Sequence, residues 1–177
     1  MYENKVWVFD NIINLNQQEE IKNFFLSNNF PWYFIPDITD NNNLQKRPGL
    51  QHFFIDNREK NSPYINLIKP IIDNSCLKIK FKYNNIERVK SFLQFPLNLT
   101  DYSVDTPHID NKNKHLVVLY YVISSDGDTI IYNRDKKSIL KSITPKQGRV
   151  VIFDGTYFHT AEQPKNKNRC VINCNLT

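Results

Sequence analysis

The second half of the chain is a series of short β-rich runs, and this pattern constrains the fold more than any other feature. From Glu87 onward, apolar and β-branched runs alternate with turn signals such as Asp126-Gly127 and the stretch from Pro145 to Gly148. The runs span residues 88–95, 115–123, 128–132, 138–140, 149–153 and 169–176. Six short strands in succession predict an all-β half built as a sandwich or jelly roll.

The first half of the chain carries the helical signals. Asn14 or Asn16 can cap a helix that runs to about Ser27. Apolar residues recur on one face of this helix at i, i+3 and i+4 spacing, namely at Ile21, Phe24 and Phe25. The spacing predicts that this face is buried.

A second helix is predicted to begin at Ser62-Pro63, with proline at the first helical position, and to run to about Asn74. Short strands are predicted over residues 6–9 and 51–55, and a long polar loop over residues 36–49. Two helices followed by six or more strands predict helices packed on one face of a β-sandwich or jelly roll.

Length and composition exclude several classes of protein. The chain has 177 residues, of which 40% are hydrophobic and 23% charged, so it is long enough for one domain with a core and unlike a disordered tail. No apolar run approaches the roughly 18 residues of a membrane-spanning helix. The N-terminus lacks the layout of a signal peptide, and three cysteines without framework spacing suit a reducing compartment. These features predict a cytoplasmic protein without a membrane partner.

The basic charge does not indicate nucleic-acid binding. The formal net charge is +5, but the lysines are scattered rather than gathered in a basic stripe. The abundance of Asn and Lys and the single alanine, Ala161, are what an A/T-rich genome encodes, such as that of a phage or a streamlined bacterium. We therefore interpret the lysine excess mainly as codon bias.

One segment carries residues suited to metal chemistry. In Pro107-His108-Ile109-Asp110, an extended backbone places His108 and Asp110 on the same side, so both can hold one ion. A third ligand is available at His159, which lies 49 residues after Asp110. Two imidazoles and one carboxylate form the facial triad of non-heme Fe(II) oxygenases, which leaves coordination positions open for a co-substrate and O2.

The last β-rich run adds a cation to this set. Strand alternation places Arg169, Val171 and Asn173 on one face, and Cys170 on the other. An inward guanidinium near a metal suits bidentate binding of a carboxylate from a co-substrate.

With these residues in place, the chain resembles the 2-oxoglutarate- and Fe(II)-dependent dioxygenases, specifically the prolyl 4-hydroxylase-like branch. The resemblance covers about residues 86–176 and, more loosely, the helical N-terminal part. It is carried by the segments that begin at Arg88, Pro107, Leu119, Asp126, Pro145, Phe158 and Arg169. It implies a double-stranded β-helix in one domain over residues 1–177. Residues 1–85 would supply helices and outer strands, and residues 86–177 the catalytic jelly-roll core.

The resemblance also implies roles for individual residues. His108, Asp110 and His159 match the iron ligands, and Arg169 matches the basic residue that pairs with the distal carboxylate of 2-oxoglutarate. Tyr121 matches a tyrosine that hydrogen-bonds the same carboxylate in some members. Asn173 stands where relatives often place a small polar residue beside the co-substrate. Tyr120 has the opposite facing, so one of the two tyrosines should point inward and the other into the core.

Two features depart from the family pattern. Relatives often have a tyrosine on the strand before the His-x-Asp motif that also reaches 2-oxoglutarate, whereas this strand offers Gln94 and Phe95. The loop from this strand to His108 is also longer. Neither change alters the candidate iron ligands.

The implied activity is Fe(II)- and 2-oxoglutarate-dependent hydroxylation of a C–H bond, with O2 as second co-substrate and release of succinate and CO2. A peptidyl or free amino-acid side chain is the first substrate class, with proline the first guess. Three alternatives are oxidative nucleic-acid demethylation, a non-catalytic interaction module and a zinc hydrolase. The chain lacks the basic cluster interleaved with aromatic residues that would favour nucleic-acid demethylation. A zinc hydrolase would leave Arg169 without a role.

Other candidate residues receive structural interpretations. His52 is interpreted as a structural histidine, and His115 as a surface residue. Cys170 and Cys174 lie too far apart along a strand for a disulfide and are predicted to pack on its outer face, with Cys76 in the core. The polar segments 36–49 and 98–106 are predicted to hold the determinants of substrate choice.

Overall fold

Two antiparallel sheets and two helices make up the computed structural model, which describes residues 5–39, 45–99 and 104–177. The elements in chain order are β1 (Val6–Phe9), α1 (Leu15–Phe25), β2 (Tyr33–Ile35), β3 (Gly49–Asp56), β4 (Glu59–Lys60), α2 (Ile65–Lys78), β5 (Ile86–Gln94), β6 (Leu116–Tyr121), β7 (Thr129–Tyr132), β8 (Ile139–Ile143), β9 (Val150–Asp154), β10 (His159–Ala161) and β11 (Arg169–Leu176).

The larger sheet has the strand order β1-β9-β6-β11-β5-β3-β2, with β4 paired to β3. The last strand in the chain, β11, therefore lies at the centre of the sheet, between β6 and β5. All eight residues of β11 are buried, which agrees with this central position. β11 thus offers one face to each side of the sheet, and both faces are covered.

The smaller sheet has the order β10-β7-β8. Isolated bridges extend it beyond β10, where Val104 pairs with Glu162 and His108 pairs with His159. The segment with the His-x-Asp motif therefore lies alongside β10 as an irregular edge of this sheet.

Helix α1 begins at the predicted cap. The Asn14 side chain accepts a hydrogen bond from the Gln17 backbone N–H at 2.9 Å, and the Gln17 side chain accepts one from the Asn14 N–H. This reciprocal pair satisfies two otherwise unpartnered donors at the helix start. Ile21 and Phe25 are buried, as the spacing predicted.

Helix α2 differs from its predicted bounds. Tyr64 is its N-cap and makes no side-chain capping bond, so Pro63 lies before the first helical residue. The helix continues through Pro70 to Lys78, beyond the predicted end near Asn74. Its buried side chains compensate for the backbone hydrogen bond that Pro70 cannot donate. The most deeply buried are Ile68, Ile71 and Ile72.

The helices cover the outward face of the larger sheet. One continuous apolar cluster joins Phe25 of α1 and Ile72 of α2 to the outward side chains of the sheet, among them Tyr120 and Ile172. A second cluster fills the space between the two sheets and includes Tyr121, Ile131 and Phe153. This confirms the predicted mainly β jelly roll with helices on one face.

Two predicted loops are described only in part. Residues 40–44 of the predicted loop 36–49 and residues 100–103 of the predicted segment 98–106 lie outside the described residues. The described residues of the first loop contain no helix or strand before Gly49. In the part of the chain that the structure describes, neither helix has the length and apolarity needed to cross a membrane.

Candidate functional site

Backbone hydrogen bonds bring the two candidate histidines together. The His108 N–H donates to the His159 carbonyl at 3.0 Å, and the His159 N–H donates to the His108 carbonyl at 2.9 Å. The ring centroids of these histidines are 4.7 Å apart. Two histidines 51 positions apart in sequence are thus fixed as direct neighbours by the edge of the smaller sheet.

Asp110 completes a cluster that could hold a metal ion. One ligand atom from each of His108, Asp110 and His159 lies within 4.8 Å of the others. The His159 Nε2 is 3.7 Å from the Asp110 Oδ2. Two imidazole nitrogens and one carboxylate are the donor set that suits a non-heme Fe(II) site with open coordination positions.

Three side chains hold the Asp110 carboxylate in place. Arg88 Nη2 donates to one oxygen at 2.7 Å, while Asn173 Nδ2 and Asn175 Nδ2 donate to the other at 2.9 and 3.0 Å. Burial alone raises the pKa of Asp110, but the His159 ring, Arg88 and the two amides outweigh it and hold this pKa well below its ordinary value. Asp110 is therefore an anion over the physiological pH range.

His159 is held as a neutral ligand candidate. Burial lowers its pKa to about 4, although Asp110 acts in the opposite direction. Its Nδ1 lies 3.2 Å from the Tyr157 carbonyl oxygen. A proton on Nδ1 would satisfy this contact and leave the Nε2 lone pair facing Asp110 and the shared centre.

Arg169 is buried and held by neutral groups alone. Its Nε donates to the Gly127 carbonyl at 3.1 Å, Nη1 to Gln94 Oε1 at 2.7 Å and Nη2 to Thr129 Oγ1 at 2.8 Å. Among the described residues, no carboxylate lies within ion-pair distance of this guanidinium. A buried cation without an anionic partner is costly, so the site favours the arrival of an anion.

Cross-strand pairs between β5 and β11 arrange these polar groups in a row. Four inward-facing pairs follow one another along the strands: Gln94 with Arg169, Phe92 with Val171, Lys90 with Asn173, and Arg88 with Asn175. Arg169 lies at one end of the row and the Arg88 support of Asp110 at the other. We call these four pairs the inward row.

A cavity of about 370 Å³ connects the two ends of the inward row. Its lining includes the three metal-ligand candidates, Arg169 and, from the inward row, Arg88, Lys90, Phe92, Gln94, Val171 and Asn173. The cavity is large enough for a small dicarboxylate beside part of a second ligand.

A buried network braces the segment that leads to His108. Asp105 accepts hydrogen bonds from Arg47 Nε at 2.8 Å and from Gln163 Nε2 at 2.8 and 2.9 Å. The Thr160 hydroxyl, next to His159, donates to the Asp105 carbonyl oxygen. Asp105 is therefore linked both to the segment that carries His108 and, through Thr160, to the strand that carries His159.

The two tyrosines separate as alternation requires. Tyr121 faces the space between the sheets, and its hydroxyl donates to Thr129 Oγ1 at 2.8 Å, the atom that also accepts from Arg169. Tyr120 belongs to the apolar cluster beneath the helices. Tyr121 thus contacts Arg169 indirectly, through the shared Thr129 hydroxyl, whereas Tyr120 is part of the apolar core.

Several contacts of the site were not predicted from the sequence. The sequence indicates Gln94 only as a replacement for a tyrosine, yet its amide oxygen accepts a hydrogen bond from Arg169. Arg88 and Asn175 received no functional interpretation, although both contribute to the support of Asp110. Strand alternation carried forward from Arg169 and Asn173 identifies Asn175. Arg88 and Gln94 needed the pairing register of β5.

The other histidines and the cysteines lie outside the site. His52 is buried, and its Nδ1 lies 2.9 Å from the Pro31 carbonyl oxygen, in agreement with a structural role. The interpretation of His115 as a surface residue is wrong: this side chain is buried against Gly155. All three cysteines are free and buried.

Comparison with known protein families gives one match. Residues 97–177 match the profile of the 2OG-Fe(II) oxygenase superfamily, a range that contains all three metal-ligand candidates and Arg169. No curated protein matches the chain by sequence.

Solved structures share the fold over nearly the whole chain. An oxidoreductase of the 2OG-Fe(II) oxygenase family from Burkholderia pseudomallei superposes with a TM-score of 0.76 at 11% identity, covering 99% of this chain and 86% of the other. A Trichoplax adhaerens prolyl hydroxylase, solved with a peptide fragment of hypoxia inducible factor, gives 0.70 at 14%, covering 98% and 84%. A viral collagen prolyl hydroxylase from Paramecium Bursaria Chlorella virus-1, in its 2OG complex, gives 0.61 at 15%, covering 99% and 96%. At these identities the likeness establishes the fold.

Proposed function

We propose that this chain, which belongs to the 2OG-Fe(II) oxygenase superfamily, uses His108, Asp110 and His159 to bind Fe(II) and Arg169 to bind the distal carboxylate of 2-oxoglutarate. One observation carries the proposal: a buried arginine that has no acidic partner among the described residues lines the same cavity as a two-histidine, one-carboxylate cluster. A zinc hydrolase would leave this arginine without a function.

Iron and 2-oxoglutarate, when bound, supply the oxidation of a C–H bond with O2, coupled to decarboxylation of the co-substrate to succinate and CO2. The protein residues provide position and charge. The Asp110 carboxylate accepts one hydrogen bond from each of Arg88, Asn173 and Asn175. These three bonds fix its orientation. Such outer partners determine ligand geometry and metal affinity.

Hydrogen-bond partners would orient Arg169, the clamp for the 2-oxoglutarate carboxylate, as they orient Asp110. Gln94, Thr129 and the Gly127 carbonyl hold three of the five guanidinium N–H donors of Arg169. The remaining donors are free to form a charge-assisted pair with a carboxylate in the cavity. We include Tyr121 as a positioning residue, since its hydroxyl bonds Thr129, and Asn173 as a support of Asp110 rather than a direct contact of the co-substrate.

For the substrate, we propose a peptidyl or free amino-acid side chain, with hydroxylation as the reaction. Support comes from the fold shared with prolyl hydroxylases, one of them solved with a peptide. The exposed aromatic residues Tyr33 and Phe34 on edge strand β2 are suited to contact a peptide. We further propose that residues 1–177 function as one domain, because the helices and the jelly roll share one apolar cluster.

The test is an anaerobic optical titration of metal-free protein with Fe(II) and then 2-oxoglutarate. We expect a weak visible charge-transfer band that needs both additions and is absent from His108→Ala. Arg169→Leu should require a much higher 2-oxoglutarate concentration for the same band. A folded protein that gives no band at saturating Fe(II) and 2-oxoglutarate would overturn the proposal.

A further inference from the structure

Lys90 belongs to the inward row and lines the same cavity as the metal-ligand candidates. It is the cross-strand partner of Asn173, whose amide donates to Asp110 at 2.9 Å. Side chains of directly paired residues lie on the same face, with Cβ atoms about 5 Å apart. Lys90 lines the cavity, and its Nζ lies 4.5 Å from the centroid of the Phe92 ring. Its ammonium group therefore lies over the Phe92 ring, in the cavity that the three metal-ligand candidates also line.

The other cations around the cavity have their partners assigned. Arg88 pairs with Asp110, and Arg47, which pairs with Asp105, is not part of the cavity lining. Arg169 is the clamp for the co-substrate under the proposed function. Lys90 differs, since no residue in the described part of the chain forms an ion pair or a hydrogen bond with its Nζ.

The surroundings of Lys90 do not neutralise its charge. Burial lowers its pKa to about 8, and the neighbouring charge of Arg88 acts in the same direction. Asp110 and Asp56 act in the opposite direction from beyond ion-pair distance. An anion that enters the cavity would therefore gain a strong, partly desolvated partner.

The backbone of Lys90 is well separated from the strand position that pairs with Arg169. Four residues of extended strand separate Lys90 from Gln94, a distance of about 13 Å along the strand. The pair of Phe92 and Val171 lies between the two ends and offers an apolar surface. The inward row therefore presents two separate anion sites with an apolar stretch between them.

We propose that Lys90 binds a carboxylate of the substrate, so that this chain selects acidic substrates, with the adjoining apolar part of the substrate packed on Phe92. The carboxylate belongs either to a free amino acid or to an acidic residue of a peptide. This inference rests on the proposed function and names the substrate class for the same site.

The experiment uses the anaerobic Fe(II)–2-oxoglutarate complex of the whole chain, with shifts of its visible band as the measure of substrate binding. The probes are free L-amino acids paired with their α-amides, and proline-containing pentapeptides that carry Glu or Gln beside the proline. We expect acids to bind roughly 10- to 100-fold more tightly than their amides. A preference within the free amino acids identifies an α-carboxylate, and one within the peptides identifies an acidic side chain.

Three variants test the role of Lys90. Lys90→Met should remove the preference for acids, Lys90→Arg should retain it, and Lys82→Met, an exposed lysine changed in the same way, should behave as wild type. Acids and amides that bind wild type equally, or a band that no acid perturbs, would overturn the proposal. So would a Lys90→Met protein that keeps the preference, or one that loses the 2-oxoglutarate band itself. Absence of the band from wild type would instead overturn the proposed function.

Discussion

The two faces of β11 are equally buried but differ in chemistry. Outward, Cys170, Ile172, Cys174 and Leu176 pack into the apolar cluster with the helices. Inward, Arg169 and Asn173 line the cavity and Asn175 donates to Asp110, so this face carries polar groups that all have hydrogen-bond partners. One strand therefore carries both the apolar packing that stabilises the fold and the polar groups of the site.

This difference indicates which face of β11 stabilises the fold. Apolar burial on the outward face adds directly to the free energy of unfolding. Polar burial on the inward face costs desolvation, and hydrogen bonds only partly offset this cost. Substitutions on the two faces should therefore separate stability from ligand binding.

The largest effect is expected at a metal-ligand candidate. His159→Ala removes one of three ligands, so turnover of 2-oxoglutarate to succinate should fall to background and the Fe(II)-dependent band should vanish. Circular dichroism checks that the variant is folded. Asp135→Asn, at an exposed turn, is the matched polar control. A His159→Ala enzyme with wild-type turnover would contradict the proposed iron site.

Arg169→Leu tests whether the inward face serves binding. Removing the clamp should raise the KM for 2-oxoglutarate roughly 100-fold or more, since a charge pair in a desolvated site is lost. The free energy of unfolding should change little, because an apolar side chain replaces a buried cation that has only neutral partners. Steady-state kinetics and urea unfolding measure the two quantities. A large loss of stability with an unchanged KM would reverse the assignment of the two faces.

Ile172→Ala is the complementary change on the outward face. Ile172 is fully buried beneath the helices, so the cavity left by the substitution should lower the free energy of unfolding by about 2–4 kcal/mol. The KM for 2-oxoglutarate should stay at its wild-type value below the unfolding transition. A change in KM as large as that of Arg169→Leu would show that the two faces are not independent.

Asn175→Ala probes the support of Asp110. Asn175 donates to the Asp110 carboxylate and accepts from Arg88 Nε. Losing both contacts should weaken Fe(II) binding about 10-fold, at the low end for residues that orient a metal ligand. Competition titration with a chelator measures the affinity, and Asn113→Ala, at an exposed loop, is the control. Unchanged affinity would show that Arg88 and Asn173 suffice.

The smallest effect concerns a surface contact that belongs to neither face. Hydrogen bonds from Arg149 and then Lys146 lower the pKa of Asp10 from 3.8 to about 2. Since the folded pKa is depressed, the stabilisation is fully present above pH 4 and is lost as the pH falls toward 2. Because the contact is partly exposed, it should be worth less than about 1 kcal/mol. Asp10→Asn should therefore lower the free energy of unfolding at pH 6 but have almost no effect at pH 2. An equal effect at both pH values would contradict this assignment.

How much of this could be predicted from the sequence differs between the fold and the site. Periodicity gave the strands and helices, because the alternation in residues 169–176 and the helical spacing around Ile21 directly reflect burial. The His-x-Asp spacing is local, so an extended backbone was enough to group His108 with Asp110. Arg169 followed from alternation together with the family resemblance.

What remained unpredicted depends on contacts between distant strands. Gln94 and Arg88 enter the site through the register of β5 against β11, which no local pattern encodes. His115 was placed on the surface because it follows a polar stretch, but the chain turns inward there and its ring packs on Gly155. The start of α2 was placed too early because Pro63 can precede a helix as well as begin one.

The position of β11 also bears on how the protein is made. Residues 169–176 follow every other strand that the structure describes, yet they fill the centre of the larger sheet. Until they leave the ribosome, β6 and β5 each present an unpaired edge, and both strands carry apolar residues. A chain that folded before then would form a jelly roll that is open in the middle. Such a stage is prone to aggregation and is the one at which a chaperone would be most useful.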